Sequence, residues 1–209
     1  KLNKPVIISA GLSEEKDVKD IISYLISEGL SHNDICLLQC TSMYPIPPSE
    51  ANLNVINRFK EIMPKITIGY SDHTVGNNAL MKSVSMGAQV LEFHYTDNKK
   101  ERNFRDHLVS LEDDDISILI NWIREDYVLR GNSIKRLTPS EISSKHNKSF
   151  RKALYPKKNL PKDHIINAED IIALRPEHGW PAHKLDELLG RKLKQAKNKY
   201  APIYIDDLY

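Results

Sequence analysis

His73, in GYSDHT (69–74), and His94, in EFHYTD (92–97), are the residues of this sequence best suited to metal chemistry. Each closes a short apolar run and is flanked by hydroxyls and carboxylates. Two imidazoles leave coordination positions open for water or substrate oxygens, which suits a catalytic Mn2+ or Mg2+-like ion better than a closed zinc site. Two histidines can also simply satisfy a polar barrel mouth, and the pattern alone leaves both readings open. Other reactive groups stand at comparable places: Ser9 before Ala10-Gly11, and Ser42 and Tyr44 in QCTSMYP (39–45), with Ser71 and Asp72 beside His73. Asp106 lies in KKERNFRDH (99–107), a mixed-charge loop that reads either as a cover for a site or as solvated surface. Arg175, in LRPEHGW (174–180), has the planar fork that pairs with carboxylate or phosphate, and it equally suits a surface ion pair.

Those residues need elements to hold them. Four apolar runs, Val6–Ile8, Ile35–Leu38, Ile66–Ile68 and Val90–Phe93, alternate with amphipathic stretches at 16–27, 51–63, 77–88 and 112–126. Continuous apolar strands alternating with helices imply a parallel sheet covered by helices. Four such units make half of a (β/α)8 TIM-type barrel; a doubly wound sheet is the rival, but no Gly-rich phosphate loop follows any strand. The polar groups at 9–11, 39–45, 69–74 and 94–97 fall at the C-terminal ends of the strands, where such barrels keep their active sites. His73 and His94 fall on adjacent strands at matching depth, and parallel neighbours lie about 4.8 Å apart, so both rings can reach one ion. Ser49 is the expected N-cap of the helix at 51–63. A half barrel leaves two sheet edges unpaired, so the chain is expected to be a fragment or one piece of a larger assembly. The partial barrel is placed at 1–130, a polar linker at 131–148 and a small mainly-β module at 149–209, with one helix at 183–192.

Composition narrows the partners. Thirty basic against 28 acidic residues leave a net charge of +2, too small a field to favour nucleic acid or an anionic membrane. No apolar stretch approaches the roughly 20 residues of a membrane span, and no secretory pattern opens the chain. The two cysteines, Cys36 and Cys40, share one strand, where a disulfide is geometrically poor; reduced thiols and a cytoplasmic setting are expected.

LLQCTSMYPIPPSEANLNVI (37–56), GYSDHTVG (69–76), EFHYTD (92–97) and RDHLVSL (105–111) strongly resemble the N-acetylneuraminate (sialic acid) synthase family. KPVIISAGLS (4–13) resembles the family's preceding strand, and RPEHGWPAHKLDELLGRKL (175–193) is similar to its C-terminal antifreeze-like, or SAF, domain. The resemblance places the four strands as the fifth to eighth of the barrel. It implies condensation of phosphoenolpyruvate with an N-acylated amino-sugar such as N-acetylmannosamine, giving a nine-carbon 2-keto sugar acid and phosphate. In such enzymes Mn2+ or Mg2+ polarises the sugar aldehyde for attack by the enol carbon. His73 and His94 match the metal ligands, Ser71 a serine that holds phosphoenolpyruvate, and Ser42 and Tyr44 the lining of the two substrate pockets. Asp106 matches a substrate-contacting aspartate, and Ser9 matches less closely. Arg175 matches an arginine that reaches the partner subunit's sugar, which implies a homodimer with exchanged C-terminal domains. Two departures stand out. Phe93 occupies the place of a lysine before the metal histidine, which leaves the sugar open and admits related sugars of the legionaminate or pseudaminate type. The family's first four strands are missing, so no general base is evident and the phosphate site is incomplete. Two other readings stand beside this one: a non-catalytic remnant whose SAF module binds a ligand, and a different barrel metalloenzyme acting on sugar phosphates.

Overall fold

A computed structural model describes residues 4–209, which divide into two units between Asn132 and Ser133. The first unit runs β1 (Val6–Ser9), α1 (Glu15–Ser27), β2 (Ile35–Cys40), α2 (Asn54–Ile62), β3 (Thr67–Asp72), α3 (Asn78–Ser85), β4 (Leu91–Phe93), α4 (Arg105–Val109) and α5 (Asp113–Arg130). The strands form one parallel sheet in the order β1-β2-β3-β4.

Strand periodicity splits this sheet into two faces. Ile8, Leu37, Ile68, Tyr70, Leu91 and Phe93 fall on one, and they pack with Val18 and Ile22 of α1, Ile56 and Phe59 of α2, Leu80 of α3 and Leu119 of α5. On the other face Cys40, Ser71 and Glu92 align across three strands. Ile7, on the same side, is 60% exposed, as the inner wall of half a barrel requires. Glu14 and Glu112 start α1 and α5 through capping boxes with Asp17 and Asp115.

Gly69 fits the tightest point of the sheet. A Cβ there would overlap Leu38 Cδ2 and the carbonyl oxygen of Val90, which accepts from Tyr70 N at 2.9 Å. Because one obstacle is backbone, Gly69→Ala is expected to cost about 1–3 kcal/mol of stability; a urea unfolding midpoint equal to that of the unsubstituted chain would refute this.

Several boundaries differ from the sequence reading. Ser49 lies inside a 3-10 turn, Pro48–Glu50, rather than at an N-cap, because Asn52 at φ +48° interrupts the backbone before α2 begins. The expected linker contains two short helices, α6 (Pro139–Ser143) and α7 (His146–Ser149). Thr138 and Glu141 cap α6 reciprocally, with Pro139 at its first position, a T-P-S-E signature that the polar composition masked.

In the second unit β5 (Ala153–Pro156) pairs antiparallel with β6 (Ile171–Leu174). Its core is Leu154, Leu160, Ile166, Ile171, Trp180, Leu188, Leu193, Ile203 and Leu208. The helix expected at 183–192 shrinks to α8 (Leu185–Leu188) after a 3-10 turn. Gly190 turns the chain at φ +80°, and Lys192 and Leu193 then enter bridges to Ile165 and Leu208. Pairing of that segment outweighs its helical leucine spacing. Among the described residues no helix is long and apolar enough to cross a membrane. Cys36 and Cys40 are free, buried thiols.

Candidate active site

The exits of β3 and β4 bring His73 and His94 together, with ring centroids 5.2 Å apart. Tyr44, carried by the loop after β2, closes the group at 4.0 Å from the His73 ring and 5.7 Å from the His94 ring. His73 is buried, and its Nδ1 lies 3.0 Å from the carbonyl oxygen of Thr41. A carbonyl only accepts, so Nδ1 carries the proton and Nε2 of the neutral ring keeps its lone pair. That arrangement orients a metal-ligating histidine. The half-buried His94 ring makes no hydrogen bond among the described residues, so both of its nitrogens are uncommitted. The pair therefore fits a divalent ion. Among the described residues no group of three or more His, Cys, Asp and Glu side chains assembles around one point, so an ion here would rest on the two imidazoles alone within this unit.

Deeper on the same face, Ser71 donates to Glu92 Oε1 at 2.8 Å. Burial raises the pKa of the adjacent Cys40 thiol, and the neighbouring hydroxyls of Ser71, Ser9 and Ser42 oppose that rise. Ser9, Ser42, Ser71, Cys40 and Glu92 thus form one polar cluster below the His73–Tyr44–His94 group. A Cβ on Gly11 would overlap Ser42 Oγ, so the close approach of the β1 exit to Ser42 requires glycine there. The Tyr44 phenol is pushed up by burial and then by the charges of Cys40 and Asp106. It stays protonated near neutrality, with its ring against the two imidazoles.

Glu92 is the residue the sequence reading missed. It stands two positions before His94, which in a strand places both on one face, and its partner in register is Ser71. It adds a carboxylate to the polar face at the strand exits.

Other expected residues take different places. Asp72 accepts from Tyr70 Oη at 3.0 Å, Thr74 N at 2.8 Å and Thr74 Oγ1 at 3.0 Å, so it fixes the turn that presents His73 and is not a site carboxylate. Phe93 packs into the helix layer, on the opposite face from His94. It does not join the His73–His94 group directly. Asp106, on α4, lies close enough to Tyr44 to act on its phenol. Arg175 belongs to the second unit, directly after β6, with its guanidinium 5.6 Å from the centre of the Phe150 ring.

The first unit is thus a parallel sheet with polar strand exits and helices on one face, and the second is a small sheet domain. The NeuB family model matches residues 1–135 and the SAF domain model residues 151–208. The chain belongs to the NeuB family. It is 34% identical over 191 residues to the N,N'-diacetyllegionaminic acid synthase of Campylobacter jejuni, covering 91% of this chain and 56% of that protein. It is 32% identical over 194 residues to the human N-acetylneuraminate-9-phosphate synthase, covering 92% of this chain and 52% of that protein. The solved structure of the N-acetylneuraminic acid synthetase of Leptospira borgpetersenii superposes with a TM-score of 0.61 at 26% identity, over 68% of this chain and 48% of the other. The chain thus spans a little over half the length of the curated relatives it matches.

Proposed function

We propose that this chain carries the metal-and-acceptor side of a synthase that condenses phosphoenolpyruvate with an N-acylated amino-sugar, releasing phosphate and a sialic-acid-like nonulosonic acid. The observation that carries the reading is the His73–Tyr44–His94 group, with His73 Nε2 freed by the Thr41 carbonyl. Mn2+ or Mg2+ held by His73 and His94 would supply Lewis-acid stabilisation of charge developing on the sugar's aldehyde oxygen. The chain's own residues do the rest. Ser71, Ser42 and Ser9 offer hydroxyls to the enolpyruvyl group, Tyr44 and Asp106 border the sugar, and Glu92 accepts or returns a proton beside Ser71. In a homodimer, Arg175 of one copy serves the sugar of the other. The buried, reduced thiols suit a cytoplasmic enzyme.

Phosphate release from phosphoenolpyruvate tests the reading in the protein with its barrel complete. N-acetylmannosamine and its 6-deoxy diamino relatives are each offered with and without divalent metal. Release that requires both a sugar and a metal is expected, and the sugar that elicits it identifies the acceptor. Glu92→Gln should lower kcat about a hundredfold. Metal-independent release, or none with any sugar, sinks the proposal.

A further inference from the structure

We infer that Arg105 is a specificity residue, which receives an anionic group, phosphate or carboxylate, of a substrate bound at the His73–His94 site. The inference rests on the reading above and deepens it. The mixed-charge loop 99–107 is pinned at both ends: Lys99 N donates to Glu112 Oε1 at 2.8 Å, and His107 Nδ1 lies 3.0 Å from Thr96 Oγ1. Its cations then divide. Lys99 faces Asp115 at 3.8 Å, Arg102 is held by Asp97 at 2.8 Å, and the Lys100 side chain has no ion pair among the described residues. Arg105 instead lies over Tyr44, with its guanidinium carbon 5.1 Å from the ring centroid, while that ring is 4.0 Å from His73. A chain of contacts thus runs from the cation to the candidate ligand.

The guanidinium is also free to bind. Its Nε stands 3.6 Å from Asp106 Oδ1, too far for a hydrogen bond, and with a side chain 67% exposed that pair is worth little. Among the described residues Arg105 makes no other polar contact, so its five N–H donors are available. An arginine held by an aromatic ring with open donors matches the geometry of phosphate or carboxylate. The carboxylate of Glu92 sits below the imidazoles, so a ligand's negative group is better placed at the Arg105 rim than deeper in the site. Two sources carry such a group: phosphoenolpyruvate, and a phosphorylated acceptor sugar.

Steady-state kinetics of the complete-barrel protein separate them, with each substrate varied in turn and the acceptor supplied with and without a phosphate. Arg105→Ala is expected to raise KM for one of the two substrates about tenfold or more, with kcat changed far less. Arg105→Lys, which keeps the charge without the fork, should recover part of that loss. A rise confined to phosphoenolpyruvate assigns the anion to the donor, and one confined to the phosphorylated acceptor assigns it to the sugar. Turnover with both KM values unmoved in R105A, or a loss in kcat alone, overturns this inference and leaves the synthase reading standing. No turnover in the unsubstituted protein overturns both.

Discussion

Replacing His94 with alanine should lower metal-dependent phosphate release at least about a thousandfold, a barrier increase of roughly 4 kcal/mol. On the proposed assignment this removes one of the two imidazoles that the described unit would lend to the ion, and with it much of the ion's residence and orientation. His94→Ala is the cleaner of the two histidine substitutions. The ring is half buried, makes no hydrogen bond among the described residues, and touches Tyr44 only edge-on at 5.7 Å. Its removal should leave the unfolding midpoint nearly unchanged. His73→Ala should be as damaging to turnover, but it also empties a buried position and takes one of two donors from the Thr41 carbonyl, leaving Met43 N, which together add about 1–3 kcal/mol of destabilisation. Mn2+ binding followed by electron paramagnetic resonance gives a readout independent of activity. Mn2+ affinity equal to that of the unsubstituted protein in both variants would dispose of the metal assignment.

The parts of this site that were legible in the sequence are those set by strand periodicity. Apolar runs located all four strands, and the residues just past their ends proved to be neighbours: Ser9, Ser42, Ser71, His73 and His94. The same periodicity carries Glu92, which escaped notice because it stands inside a strand, where a carboxylate belongs only if that face lines a barrel interior. Asp72 and Phe93 show the converse. Each adjoins a histidine in sequence, but a one-residue step along a strand reverses the face. The Asp72 side chain is consumed by its own turn, and Phe93 by the helix layer. The tautomer of His73 was beyond any sequence reading. It is set by the Thr41 carbonyl, 32 positions earlier, through the close approach of two loops that only the folded sheet creates.

The second unit shows the same competition between local signal and tertiary demand. HKLDELLGRK places leucines at 185, 188 and 189, a helical spacing, yet only Leu185–Leu188 is α-helical. A small domain has few residues with which to cover its core. Bridges at Lys192 and Leu193 bring Leu193 to complete burial, which a longer helix could not do. Such a domain depends on its polar interior more than a large one does, and there one residue carries much of the load.

Removing Asp170 should destabilise the second unit by about 2–4 kcal/mol. Its side chain is almost fully buried, accepts from His164 Nε2 at 2.7 Å and Asn167 N at 3.0 Å, and is paired with Lys158 Nζ at 2.9 Å. Burial alone would raise its pKa, but the bonds from His164, Lys158 and Asn167 outweigh it and hold the carboxyl at about 2, against an ordinary 3.8. Because the folded value is the lower one, the stabilisation is fully present above about pH 4 and is lost as pH falls through about 2; the shift corresponds to about 2 kcal/mol. Asp170→Asn keeps the shape, removes the charge, and turns an amide N–H₂ toward at least one donor, so it should lose most of that amount and flatten the acid limb. Trp180, buried in this unit's core, reports the transition, and a Trp122→Phe background isolates its fluorescence from the other tryptophan. Urea titrations between pH 7 and pH 2 should show the two proteins converging as the unsubstituted carboxyl protonates. Parallel curves across that range, or a difference below about 0.5 kcal/mol at pH 7, would show that the buried carboxylate is tolerated rather than stabilising, as some buried ion pairs are.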